Sequence, residues 1–205
     1  MIIIALISLV AGVLCGKFVF DTNIINIFSN VSDYALYILM FAVGISVGTN
    51  KQVFRKLKEY HIKIVIIPFG IIVGSIVGGF ICSILLKKPL NESLSIASGL
   101  GWYSLSGVLL TNLGGAQLGT LAFLSNIMRE LFSFLSIPFV AKHFNKYTAI
   151  APAAATSEDT TLPMIMKYTS ADVAVMAVIN GVICSAFVPV LINFFFNLFW
   201  YLKSK

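Results

Sequence analysis

Long apolar runs alternate along this chain with short polar connections. Residues 2–20, 31–49, 62–86, 118–140 and 173–202 each approach or exceed the roughly 20 apolar residues that carry a helix across a bilayer core. The pattern predicts an all-α polytopic membrane protein with about five full spans. Two further segments do not read as simple spans. Residues 93–113, SLSIASGLGWYSLSGVLLTNL, are interrupted by Gly99, Gly101 and Gly107 and are rich in serine. Residues 147–168, YTAIAPAAATSEDTTLPMIMKY, are broken by Pro152 and Pro163. Backbone released from helical bonding at membrane depth persists only against protein or a water-filled cavity. Both segments are therefore predicted to be discontinuous or re-entrant. Interrupted segments in corresponding places are the best sequence pointer to a transporter's binding site. Each precedes a long span, which suggests two similar units of opposite orientation, an inverted repeat, within a single transmembrane transporter domain over residues 1–205. Gly12 with Gly16, Gly44 with Gly48, and Gly70, Gly74 and Gly78 recur at helical spacing and read as helix-packing faces.

Composition agrees with that pattern. Hydrophobic residues make up 59% of the chain, charged residues 11%, and the mean hydropathy is +0.97. A soluble domain of this length carries more charge on its surface. The net charge of +6 is concentrated. Lys51, Arg55, Lys56, Lys58 and Lys63 crowd one connection and are opposed only by Glu59. Without aromatic interleaving or a soluble domain this cluster does not fit nucleic acid. It fits a cytoplasmic loop obeying the positive-inside rule. Alternation then places the N-terminus in the cytoplasm and the C-terminus outside. A second basic loop with Lys142, His143 and Lys146 falls inside, and Trp200, Tyr201 and Lys203 anchor the far end. Lys87 and Lys88 fall on the outer side, against the rule. The first run lacks a basic n-region, and Leu14 is too large for a cleavage site, so it reads as a retained span. Cys15, Cys82 and Cys184 lie singly in apolar runs and suggest neither a disulfide framework nor a metal site. No cofactor is expected.

The chain has only 8 carboxylate side chains, yet two stand together in TSEDTTLP, residues 156–163. An ionisable group near the middle of a span costs at least ~2.5–3.5 kcal/mol, so each is a functional candidate. Arg129, Glu130, Glu158 and Asp159 qualify, whereas Lys17, Asp33, Glu92 and Asp172 lie at span ends or in a turn and reach water. Consecutive residues on a helix point about 100° apart, so Arg129 and Glu130 are not expected to pair with each other. Glu130 shares a face with Asn126 and Ser133. Glu158 is the expected partner of Arg129, as a buried clamp. Glu130 and Asp159 then remain uncompensated in a nook of hydroxyls, Thr160 among them, and freed carbonyls. Two close carboxylates resist ionising together. Such a site binds a cation, takes up protons in exchange, or both. Sodium also suits hard oxygen ligands.

SGLGWYSLSG, residues 98–107, supplies the complementary half. Its exposed amides suit a substrate carboxylate, and Ser98, Ser104 and Ser106 add hydroxyls. Trp102 and Tyr103 would pack on an aliphatic stem or cover an ammonium group, with plain interfacial anchoring as the alternative. An intramembrane protease is disfavoured. Leu105-Ser106-Gly107 is superficially similar to a rhomboid serine loop, but His61 and His143 both sit in basic loops and leave no general base. The aspartyl version needs two separated aspartates in spans, and only Asp159 qualifies.

SGLGWYSLSGVLL (98–110), RELFSFLSIPF (129–139) and ATSEDTTLP (155–163) closely resemble the bacterial LysO lysine-exporter family in content, order and spacing, and LMFAVGISVG (39–48) resembles a further segment. The resemblance covers essentially the whole chain. It implies export of L-lysine and its toxic analogue thialysine across the bacterial cytoplasmic membrane, in exchange for protons, with the functional acids at Glu130 and Asp159. Two departures stand out. The family pattern has a non-acidic residue where this chain has Glu158. Full-length members also carry an N-terminal portion of about three more membrane segments. In split versions a small separate membrane protein supplies that portion, so the resemblance implies the larger half, acting alone, as a homo-oligomer or with that partner. The other reading is a subunit of a two-component transporter or channel for another cationic amino acid or cation.

Overall fold

The computed structural model describes residues 63–203 continuously and, before them, residues 7, 11, 12, 14–20 and single positions up to 45. The expected spans at 2–20 and 31–49 and the basic connection after them lie largely outside the described residues, as does the Gly44/Gly48 pair. The chain falls into two compact units, Met1–Ala42 and Val43–Lys205. In the first, residues 14–18 are helical. The second holds the whole continuously described stretch, residues 63–203.

Its elements are α1 (Lys63–Leu86), α2 (Leu90–Ala97), α3 (Tyr103–Gly114), α4 (Ala116–His143), two 3₁₀ turns (Thr148–Ile150 and Ala154–Glu158), α5 (Leu162–Tyr168) and α6 (Ala171–Lys203). No strand occurs among the described residues. Val65–Leu86, Ala116–His143 and Ala171–Leu198 are long and apolar enough to cross a bilayer. This is an all-α membrane protein. Three of the expected spans are thereby seen, and the order of broken segment followed by long helix occurs twice, as α2–α3 before α4 and the 3₁₀ turns with α5 before α6.

The breaks fall where glycine and proline put them. Between α2 and α3 the chain leaves the helix at Ser98 and turns through Leu100 and Gly101, whose φ angles are 50° and 93°. In the second segment the run between Pro152 and Pro163 forms only a short 3₁₀ turn, and Pro163 lies in the first turn of α5, where its missing N–H costs nothing. Ala154 there has a φ of 51°. A left-handed residue with a side chain costs about 1–3 kcal/mol and survives where its surroundings over-determine it. Leu100 and Ala154 are both fully buried, and the Ala155 amide donates to the Leu100 carbonyl at 3.1 Å. The two breaks are thus joined backbone to backbone.

Packing follows the same plan. α2 lies against α1 and α6, and α3 against α4. A buried cluster from α4 (Ile137), the 3₁₀ region (Ala149, Ile150, Ala153), α5 (Ile165) and α6 (Val173, Met176, Ala177, Ile179, Val182) holds the second break. Gly181 lets α6 approach closely, because a Cβ there would stand 2.5 Å from the Glu158 backbone nitrogen. Gly70, Gly74 and Gly78 of α1 meet nothing within 4 Å among the described residues, so their expected packing role has no partner there.

Candidate functional site

Glu130 sits at the middle of α4, a helix long and apolar enough to cross a bilayer. Its residue is 1% exposed, and neither carboxylate oxygen has a hydrogen-bond partner. The buried Thr160 hydroxyl stands beside it, also without a partner of normal geometry. Asp159 lies within electrostatic reach of Glu130, and the Tyr103 hydroxyl feels both acids. Tyr103 is braced edge-to-face on Phe123, with ring centroids 5.3 Å apart. Asp159 itself is exposed, and its carboxylate accepts the Thr160 amide. Glu130 and Asp159 thus lie within electrostatic reach of one another near Thr160 and Tyr103, the first buried and the second exposed. A buried anion lacking donors is unfavourable unless something supplies them. An ammonium group carries three N–H donors, and the two carboxylates and the hydroxyl are its natural acceptors.

One turn before Glu130, Asn126 ties the first break to α4. Its Oδ1 accepts the Gly101 amide at 2.8 Å, and its Nδ2 donates to the Ile96 and Ala122 carbonyls and to the Ser106 hydroxyl. Gly99 has no side chain because the Asn126 amide occupies that space. Asn126 and Ser106 thus hold the loop. Ser98 likewise bonds the Leu94 carbonyl. Ser104 is exposed on α3, and Trp102 is half-buried at its start.

The expected clamp between Arg129 and Glu158 is not formed. The Glu158 Oε1 accepts the Ser185 hydroxyl of α6 at 2.7 Å. Arg129 instead donates from Nη1 to the Ser75 hydroxyl of α1 at 2.9 Å. Gly181 explains the difference: α6 comes so close to the turn that Glu158 meets a hydroxyl on its own side. Arg129 lines a separate apolar groove of about 870 Å³, together with Gly74, Ser75, Gly78, Ser125 and Asn126.

Asn180 was not singled out from the sequence. It is 1% exposed in the first third of α6 and donates to the Ala154 carbonyl and the Ser157 hydroxyl, both at 3.0 Å. The same sequence offset separates Asn126 from Asn180 and Leu100 from Ala154. An amide in an apolar span is a weaker signal than a charge, since Asn193 and Asn197 follow in the same helix, and it stands in NGVICS, residues 180–185. Ser75 and Ser185 carried no comparable signal, since serines recur throughout the spans. Among the described residues no group of three or more His, Cys, Asp or Glu side chains gathers as a metal site.

The family model for the lysine exporter LysO matches residues 6–196. The chain is similar to the lysine exporter LysO of Escherichia coli, at 36% identity over 167 residues, covering 82% of this chain and 55% of that protein. It thus spans about half the length of that relative. It is also similar to a protein of Haemophilus influenzae named a putative lysine exporter, at 35% identity over 192 residues and 93% of each chain. No solved structure matches significantly.

Proposed function

The chain belongs to the lysine exporter LysO family, and from that membership we propose that it exports L-lysine, and analogues such as thialysine, from the cytoplasm in exchange for protons. The observation that carries the reading is Glu130, a mid-span carboxylate with both oxygens unpartnered, beside Asp159 and Thr160. An ammonium group supplies the missing donors when substrate is bound, and a proton does so on the return. Exchange of one lysine for one proton moves no net charge, so the proton gradient drives it. The two broken segments form the site as halves of an inverted repeat, with the N-terminus in the cytoplasm and the C-terminus outside.

The test is uptake of labelled lysine into proteoliposomes holding the purified full chain. The reading predicts saturable uptake that is driven by a pH gradient and chased by unlabelled lysine. Lysine-independent, non-saturating cation current would instead favour a channel.

A further inference from the structure

Thr160 meets the two acids through different atoms. Its backbone amide donates to the Asp159 carboxylate, and its side-chain hydroxyl lies beside Glu130. That hydroxyl is buried without a partner of normal geometry, as are both Glu130 oxygens. Buried polar groups are ordinarily satisfied, so three such oxygens together call for an explanation. The loop does not supply one. The neighbouring hydroxyls of Thr156, Ser157 and Thr161 each bond a backbone carbonyl of the turn, Ala153, Ala154 and Thr156, at 2.8, 2.7 and 2.9 Å. The turn is thus held by its other hydroxyls, and that of Thr160 is left for Glu130. Among the described residues the titratable groups that face Glu130 are Asp159, next to Thr160, and Tyr103 of α3.

Resting on the lysine–proton reading, we propose that Thr160 is the positioning residue for proton return, its hydroxyl oxygen accepting the O–H of protonated Glu130. A hydroxyl both donates and accepts. Beside ionised Glu130 it donates to the carboxylate. Once Glu130 has taken up a proton, the carboxyl O–H donates and the hydroxyl turns to accept. The same proton leaves Glu130 when the exchange is completed, so no other bond is made or broken. Asp159 is a poorer acceptor for this O–H, because it is exposed and its carboxylate already holds the Thr160 amide. The lysine-loaded limb is different. There the ammonium group brings its own donors to Glu130, and the hydroxyl is dispensable. Thr160 therefore bears on the proton limb and spares the lysine limb.

The test compares two transport modes in proteoliposomes holding the purified full chain. Counterflow of labelled against unlabelled lysine at equal pH uses the lysine-loaded limb alone, whereas uptake driven by a pH gradient uses both limbs. Thr160→Val keeps the shape and removes the hydroxyl. It is expected to slow gradient-driven uptake about tenfold, the loss of one buried hydrogen bond, with counterflow near the wild-type rate. Thr160→Ser returns the hydroxyl and should restore uptake. Loss of both modes by the same factor in Thr160→Val overturns the proposal and makes Thr160 a structural residue. Wild-type rates in both modes, or a failure of Thr160→Ser to restore uptake, overturn it as well. In each of these cases gradient-driven uptake by the wild type leaves the export reading standing. A wild type that performs counterflow without responding to the gradient removes proton coupling, and this proposal with it.

Discussion

Asn126 and Asn180 each donate to one carbonyl and one hydroxyl of the broken segment that precedes their own helix, and Asn126 also accepts the Gly101 amide. Asn126 reaches the Ile96 carbonyl and Ser106, and Asn180 reaches the Ala154 carbonyl and Ser157. Between them the Ala155 amide meets the Leu100 carbonyl. The unwound backbone is thereby satisfied internally, as membrane depth requires.

The two amides are therefore expected to be structural. Asn180→Ala removes one of two donors to the Ala154 carbonyl, the Ser157 hydroxyl being the other, and should cost about 0.5–1.5 kcal/mol. Asn126→Ala strands the Gly101 amide and should cost more. Both are read as a lower unfolding midpoint in detergent, with Asn126→Ala the lower.

Glu158 is pinned by Ser185, so the neighbouring acids should respond differently to neutralisation. Glu158→Gln keeps an acceptor for the hydroxyl and is expected to retain most lysine exchange. Ser185→Ala leaves Glu158 half-buried without its donor and should cost about 1–3 kcal/mol of stability. Thermal unfolding and lysine counterflow on the same preparations check both.

Gly181 allows the close approach that gives Glu158 this partner. Gly181→Leu would drive a side chain into the Glu158 backbone, at a cost of at least about 1–3 kcal/mol. Loss of the monodisperse peak on size-exclusion chromatography is the expected result, and Gly78→Leu, where an added Cβ meets nothing within 4 Å among the described residues, serves as the control.

How much of this was legible follows from particular residues. Hydropathy located α1, α4 and α6, because span length is fixed by the bilayer. Glycine and proline located both breaks, because they remove helical bonds wherever they lie. The nearness of Glu130 to Thr160 was also foreseeable, since a buried charge settles beside polar groups, whereas the exposure of Asp159 was not. The pairing of Arg129 was not. Sequence supplies its charge, but its partner was decided by the approach of α6 at Gly181 and by the position of Ser75. The left-handed turn at Ala154 was hidden too, because alanine gives no sign of positive φ.

Neutralising Glu130 separates stability from function. Glu130→Gln replaces an unpartnered buried charge with a neutral amide, which is cheaper to bury. It is expected to raise the unfolding midpoint at alkaline pH while abolishing exchange, the usual trade at an active site.

The account rests on Glu130 and Asp159 carrying lysine one way and protons the other. Liposomes loaded with a pH-sensitive dye measure this directly when lysine is added outside. For the wild type the account predicts a rise in internal pH as lysine enters and protons leave, and none for Glu130→Gln or Asp159→Asn. A wild-type pH response in both variants, with normal lysine uptake, would contradict it.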